Sequence, residues 1–185
     1  GKDVQLVCVH KVPHIYADLE GAEDMVTPET VEGVQFDLAI PVDVADCLRM
    51  GESVRVFEAA KHTAQIDHHG TNPGYVEVNY LRSPLSATGV LVMEVIDALG
   101  VPLDVPMAKC LYVAVATDTG NFKQQNTDKD AMVVAARCMA VGLDPSAVTR
   151  RVFDLRPVPQ VKLLARALES LTTYEDGRIV LMRPS

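Results

Sequence analysis

The chain has 185 residues, 48% of them hydrophobic, and sets 17 lysines and arginines against 25 aspartates and glutamates, a formal charge of −8. Such a length and apolar content support one domain, or one and part of another, around a real core. The acidic balance argues against a protein that coats nucleic acid, whose affinity comes from Lys and Arg on phosphates. It suits a site where gathered carboxylates hold a divalent cation.

The predicted elements alternate between strand and helix. "GKDVQLVCVH" opens on Gly1 and then places apolar residues at Val4, Leu6 and Val9, which predicts a strand. Gly1 reads either as the stop of a preceding helix or as a residue left by tag cleavage. "QFDLAIPVD" (residues 35–43) predicts an apolar strand ending in a carboxylate, "SVRVFEAA" a short helix, "TAQIDHH" a second strand and "YVEVNYL" a third. Residues 86–100 predict a helix with Ser86 as N-cap and Gly100 as stop. "VPMAKCLYVAVATDTGNF" predicts a buried helix, capped by Asp104 or entered through Pro106 and broken at 117–120. Residues 127–142 predict another, with Thr127 as N-cap and Gly142 as stop. "DPSAVTRRVFD" and "PVPQVKLLARALESL" predict two more helices. "YEDGRIVLM" predicts a turn and a final strand with no partner left in the chain. Strands alternating with helices predict an α/β fold with a parallel sheet and flanking helices.

Four cysteines, Cys8, Cys47, Cys110 and Cys138, are widely spaced without a CxxC pair. Read as reduced thiols, they point to the cytoplasm. No apolar run approaches the span of a bilayer, no signal-peptide pattern is visible, and the chain does not begin with Met.

In parallel α/β sheets, ligands bind beyond the carboxyl ends of the strands. Two predicted strands end in charged groups there, one at Asp43 and one at Asp67-His68-His69, and the apolar run "LYVAVATD" ends at Asp118. A carboxylate at the end of a buried run is costly unless something pairs with it, and a divalent metal would pair with all three. Taken singly, Asp43 reads as a helix cap, the His pair as surface, and Asp118 as part of a turn. His10 and His14 fall in an irregular loop. His62, Lys109, Lys123 and Lys129 read as solvated surface.

"IDHHGTNPG", preceded by "IPVDVAD" and followed by "ATDTGNFKQQNT", resembles the DHH family of phosphoesterases, named for the triplet. An acidic residue stands about 25 positions before the His pair and another about 50 after it. "DTGNFKQQNT" and "SPLSAT" bring the likeness nearest to the group of bifunctional oligoribonucleases (nanoRNases) and 3′-phosphoadenosine 5′-phosphate (pAp) phosphatases. The resemblance implies a pair of divalent metals, usually Mn²⁺, with Mg²⁺ or Co²⁺ as substitutes. It matches Asp43, His68 and Asp118 to metal ligands and His69 to a catalytic residue facing the substrate phosphate. Asp67 is matched to the triplet aspartate, as a ligand or as the group that orients a histidine. Ser86 and Thr88 match the helix entry near the phosphate. Oxygen and imidazole ligands suit Mn²⁺ or Mg²⁺, and two such ions activate a shared water. The implied reaction is hydrolysis of short oligoribonucleotides or of pAp, as a metal-dependent exonuclease and phosphatase. The implied partners are a small nucleotide or short RNA, with no membrane, and pairing as a homodimer.

The family's first metal motif, His-x-x-Pro-Asp-x-Asp, is absent from this sequence, and "HKVPHIYADLE" does not reproduce its spacing. On this reading residues 1–155 are a DHH domain lacking its first βα unit. Residues 156–185 are a connecting helix and the first strand of an otherwise absent C-terminal substrate domain. This piece by itself is then expected to be weakly active or inactive. Alternatives are a cyclic-di-AMP or pApA phosphodiesterase, and a family II inorganic pyrophosphatase, against which Val44 after Asp43 counts. A non-catalytic nucleotide-binding module is the alternative of another class.

Overall fold

The structure is a computed structural model and describes residues 2–183; Gly1, where the sequence places a helix stop, lies outside the described residues. The chain divides into two compact units, Gly1–Val148 and Thr149–Ser185.

In the first unit, three parallel strands lie in the order β1 (Leu38–Ala39), β2 (His62–Asp67), β3 (Val78–Leu81). Leu38 pairs with His62 and Ala64 with Val78, so all three strands run toward the same edge. The strand expected over residues 35–43 is realised as a short β1 plus a separate bridge at Val42 opposite Ile66. Pro41 has no N–H for a ladder, yet its carbonyl accepts from the Ile66 N–H, and the Asp43 N–H returns the bond to the Ile66 carbonyl. The sheet therefore carries Asp43 to the end of β2 even though the ladder lapses. The opening alternation at Val4, Leu6 and Val9 does not become a strand. It is irregular backbone with one parallel bridge, Val7 to Val26.

Helix α1 (Val54–Glu58) leads into β2, and α2 (Thr88–Ala98), α3 (Val105–Asp118) and α4 (Lys129–Ala140) form the core. Leu91, Val115, Ala116, Ala131 and Cys138 are completely buried. Burying a leucine fully stabilises by roughly 1.5–3 kcal/mol. Gly89 lets α2 and α3 approach closely: a Cβ there would lie 3.1 Å from the Ala114 Cβ.

Two expected caps are corrected. The N-cap of α2 is Ala87, without a side-chain bond, rather than Ser86. The N-cap of α4 is Asp128, whose carboxylate accepts from the Ala131 N–H, rather than Thr127. The other signals behave as read. Asp104 caps α3 through the Met107 N–H, and Gly100 and Gly142 end their helices at positive φ, 66° and 101°.

After α5 (Pro145–Thr149), residues Arg150–Asp154 form a π turn in the second unit. There α6 (Val158–Glu169) precedes a hairpin of β4 (Thr172–Tyr174) and β5 (Ile179–Leu181). The final strand thus has a partner, contrary to the sequence expectation: "TTY" pairs with it antiparallel. Asp176 and Gly177 turn the chain at positive φ. No single helix among the described residues is long and apolar enough to cross a membrane.

Candidate metal centre

The carboxyl ends of the strands converge on the C-terminus of α3. Asp43 takes φ 63°, a left-handed conformation that aspartate tolerates better than most residues. Its backbone stays on β2 while one carboxylate oxygen accepts from the Thr88 hydroxyl at 2.7 Å. Thr88 begins α2, so the hydroxyl fixes the Asp43 rotamer from across the cleft.

The two histidines leave β2 in different directions and have different partners. His68 Nδ1 lies 2.9 Å from the Leu85 carbonyl, which can only accept, so this nitrogen carries the proton. Nε2, which carries the lone pair in the neutral ring, lies 3.6 Å from Asp43 and 3.7 Å from Asp118. His69 Nδ1 lies 2.7 Å from Asp67 Oδ1 and 3.9 Å from Asp43. One oxygen of Asp43 and one nitrogen from each histidine lie within 4.8 Å of one another.

Asp67 faces inward. It is 1% exposed. Its Oδ1 accepts from the His68 N–H and from His69, and its Oδ2 from the Asn72 amide. Burial pushes its carboxyl up, but the bonds from Asn72 and His69 outweigh that and hold it below the ordinary aspartate range. With both oxygens engaged, Asp67 has the position of a residue that orients His69, rather than of an open ligand.

Asp118 stands at the last position of α3. Burial and then the Asp43 charge push its carboxyl up, partly countered by the histidines. The negative end of the helix dipole adds to this cost. Thr119 and a left-handed run at Gly120, Asn121 and Phe122 lock the helix end behind it. The Thr119 hydroxyl donates to Val115 O and accepts from the Phe122 N–H. A cation between Asp43 and Asp118 would remove the repulsion, and the lone pair on His68 completes a mixed oxygen and imidazole set. The residues fit a divalent metal.

Ser86 does not face these groups. It is buried, and its hydroxyl and N–H both donate to Asp128. The Asn126 amide donates to the carbonyls of Ser86 and Asp118, tying α2 to the end of α3. An apolar cleft of about 580 Å³ between α2 and α3 opens beside the centre; its lining includes Asp43, Thr88, Asp118, Val92 and Leu111. His62 is exposed and bonded to Glu77, and Lys109 is paired with Asp18. Asn72, Asn126 and Asp128 are the contributors that sequence reasoning passed over. Asn72 lies three residues after the His pair, and its place before Pro-Gly is the available signal.

No protein-family model matches the chain. In sequence it is similar to the bifunctional oligoribonuclease and PAP phosphatase NrnA of Thermus thermophilus, 32% identical over 115 residues, covering 62% of this chain and 35% of that protein. In fold it is similar to an exopolyphosphatase-related protein from Bacteroides fragilis, with a TM-score of 0.87 and 19% identity, over 98% of this chain and 56% of that one. In sequence and fold the chain thus resembles DHH-family phosphoesterases. A further relative is the uncharacterized protein MG371 of Mycoplasma genitalium, 26% identical over 144 residues, 78% of this chain and 44% of that protein. A putative family II inorganic pyrophosphatase from Methanococcus jannaschii shares the fold more loosely, with a TM-score of 0.52 over 69% of this chain and 43% of that one, at 20% identity. The chain spans less than half the length of the curated relatives it matches. The DHH triplet is thus built with His68 toward the two carboxylates and His69 held by the buried aspartate.

Proposed function

We propose that this chain carries the catalytic centre of a metal-dependent phosphoester hydrolase acting on short oligoribonucleotides or on pAp. One observation carries the reading: Asp43 and Asp118, from separate elements, meet at Nε2 of His68, whose other nitrogen is committed to the Leu85 carbonyl. Without a cation the two carboxylates repel each other and lose solvation, a cost the histidines counter only in part. The likeness to the Thermus thermophilus enzyme, whose name gives both activities, supports the substrate class.

In this reading Asp43, His68 and Asp118 hold Mn²⁺. When bound, such ions make a water nucleophilic at neutral pH and neutralise charge building on phosphorus. His69, oriented by Asp67, faces the phosphate, where its remaining nitrogen can hold or deliver a proton to an oxygen. Thr88 keeps Asp43 aimed inward. Ser86 acts indirectly, by seating the start of α2 on Asp128.

Calorimetric titration with Mn²⁺ tests this, on the chain and on a His68→Ala/Asp118→Ala variant, with pAp, a diribonucleotide and pyrophosphate assayed alongside. Saturable binding that the variant loses is the expected result. Turnover of pyrophosphate alone would replace the substrate assignment. Nucleotide binding without metal binding would favour a non-catalytic module.

A further inference from the structure

Asn72 makes more side-chain hydrogen bonds than its turn requires. Its Oδ1 accepts from the Gly74 N–H at 2.9 Å, an ordinary local turn bond. Its Nδ2, with two hydrogens, lies within hydrogen-bond distance of three acceptors beyond the turn: Asp67 Oδ2 at 2.6 Å, the buried Gln65 Oε1 at 3.0 Å and the Val44 carbonyl at 3.3 Å. Gln65 is anchored in turn by Asn79. The Val44 carbonyl also accepts from the Tyr75 hydroxyl at 2.8 Å. Burial pushes that phenol up to about 12, so it remains a donor across the physiological range.

The Asn72 amide therefore grips both sides of the centre. On one side it holds Asp67 Oδ2, leaving Oδ1 for the His68 N–H and His69 Nδ1. On the other it holds the carbonyl immediately after Asp43, the residue with positive φ. The His68 N–H holds Oδ1 alone and leaves the other end of the carboxylate free to swing; with Asn72 on Oδ2 both ends are held, and Oδ1 is fixed toward the His69 ring. An Nδ1–H tautomer of His69 follows, because the partner of one ring nitrogen decides where the proton sits.

We propose that Asn72 is a positioning residue of this centre, setting the orientation and tautomer of His69 through Asp67 and the seat of Asp43 through Val44. The inference rests on reading the site as a metal centre only for its effect on affinity; the tautomer is testable without metal.

The test is long-range ¹H–¹⁵N NMR of the histidine rings in the metal-free chain, about two pH units above the ordinary imidazole value, followed by Mn²⁺ titration. In the unsubstituted chain both rings are expected as Nδ1–H. In Asn72→Ala, His69 is expected to shift toward Nε2–H, while His68, held by the Leu85 carbonyl, stays as it was. Asn72→Asp keeps an acceptor for Gly74 but loses the donor to Asp67, and it should move His69 in the same way. A purely structural role would spare His69 in Asn72→Asp or disturb both rings together, and either result overturns the proposal. An Nε2–H tautomer of His69 in the unsubstituted chain overturns it without any variant. Manganese affinity is expected to fall about 10- to 100-fold in both variants. Absence of Mn²⁺ binding in the unsubstituted chain would sink the metal reading and leave the tautomer result to decide the role of Asn72.

Discussion

The two units of the chain build the same kinds of element with opposite degrees of burial. In Gly1–Val148, α2, α3 and α4 each bury one apolar face, with Leu91, Val115 and Cys138 wholly enclosed, while Met132, Val133 and Met139 on the outer side of α4 stay about half exposed. In the described part of Thr149–Ser185 no residue is buried, and α6 leaves Val158, Val161, Leu163, Leu164 and Leu168 between 42% and 66% exposed. Pattern alone is therefore enough to set a helix or hairpin in place locally. A site of converging side chains also needs a packed core to hold its parts to fractions of an ångström. All the groups of the metal centre lie in the first unit.

The sharpest way to break that contrast is Leu91→Ala, at the centre of the core. It is expected to cost about 2–5 kcal/mol, read as a fall in the denaturation midpoint of the chain, because the cavity cannot fully collapse. Gly89→Ala is expected to cost less, on the order of 1 kcal/mol. Its new Cβ would meet the Ala114 Cβ at 3.1 Å and Val115 Cγ2 at 3.3 Å, which offsets the helix propensity gained. A stabilised Gly89→Ala would show that α2 and α3 can separate without loss.

Asp128→Ala removes the α4 cap and the seat of Ser86 together, for an expected loss of about 1–2 kcal/mol by chemical denaturation. This effect is pH-dependent. Burial pushes the Asp128 carboxyl up, but the N–H groups of Ala131 and Ser86 and the Ser86 hydroxyl outweigh it and lower the folded value. The stabilisation is complete above the ordinary aspartate value and disappears as pH falls through the depressed one. The difference between the chain and Asp128→Ala should thus shrink in acid; a constant difference would assign the loss to packing. The smallest effect belongs to the second unit. Leu164→Ala, at a position 42% exposed, is expected to stay within about 0.5 kcal/mol of the unsubstituted chain. A loss of several kcal/mol there would end the contrast between the units.

The order of strands and helices was legible in the sequence because hydrophobic period and capping chemistry are local. "AQID" reads as a strand and residues 88–98 as a helix whatever surrounds them. The places where reading failed are non-local. Ser86 and Thr127 have the chemistry of N-caps, but Asp128 takes α4, and Ser86 spends its hydroxyl on that same Asp128, 42 residues away in sequence. The strand partner of residues 179–181 was overlooked because "TTY" is too short to show a period.

The same division runs through the site. The residue types of Asp43, Asp67, His68, His69 and Asp118, and their places at the ends of apolar runs, are properties of the sequence, since a buried element can end in charge only where something receives it. Where each histidine ring is anchored, which aspartate turns inward and what holds each of them are decided by Leu85, Asn72, Thr88 and Asn126. Those partners come from other elements, and only the packed core sets hydrogen-bond distances between groups so far apart along the chain.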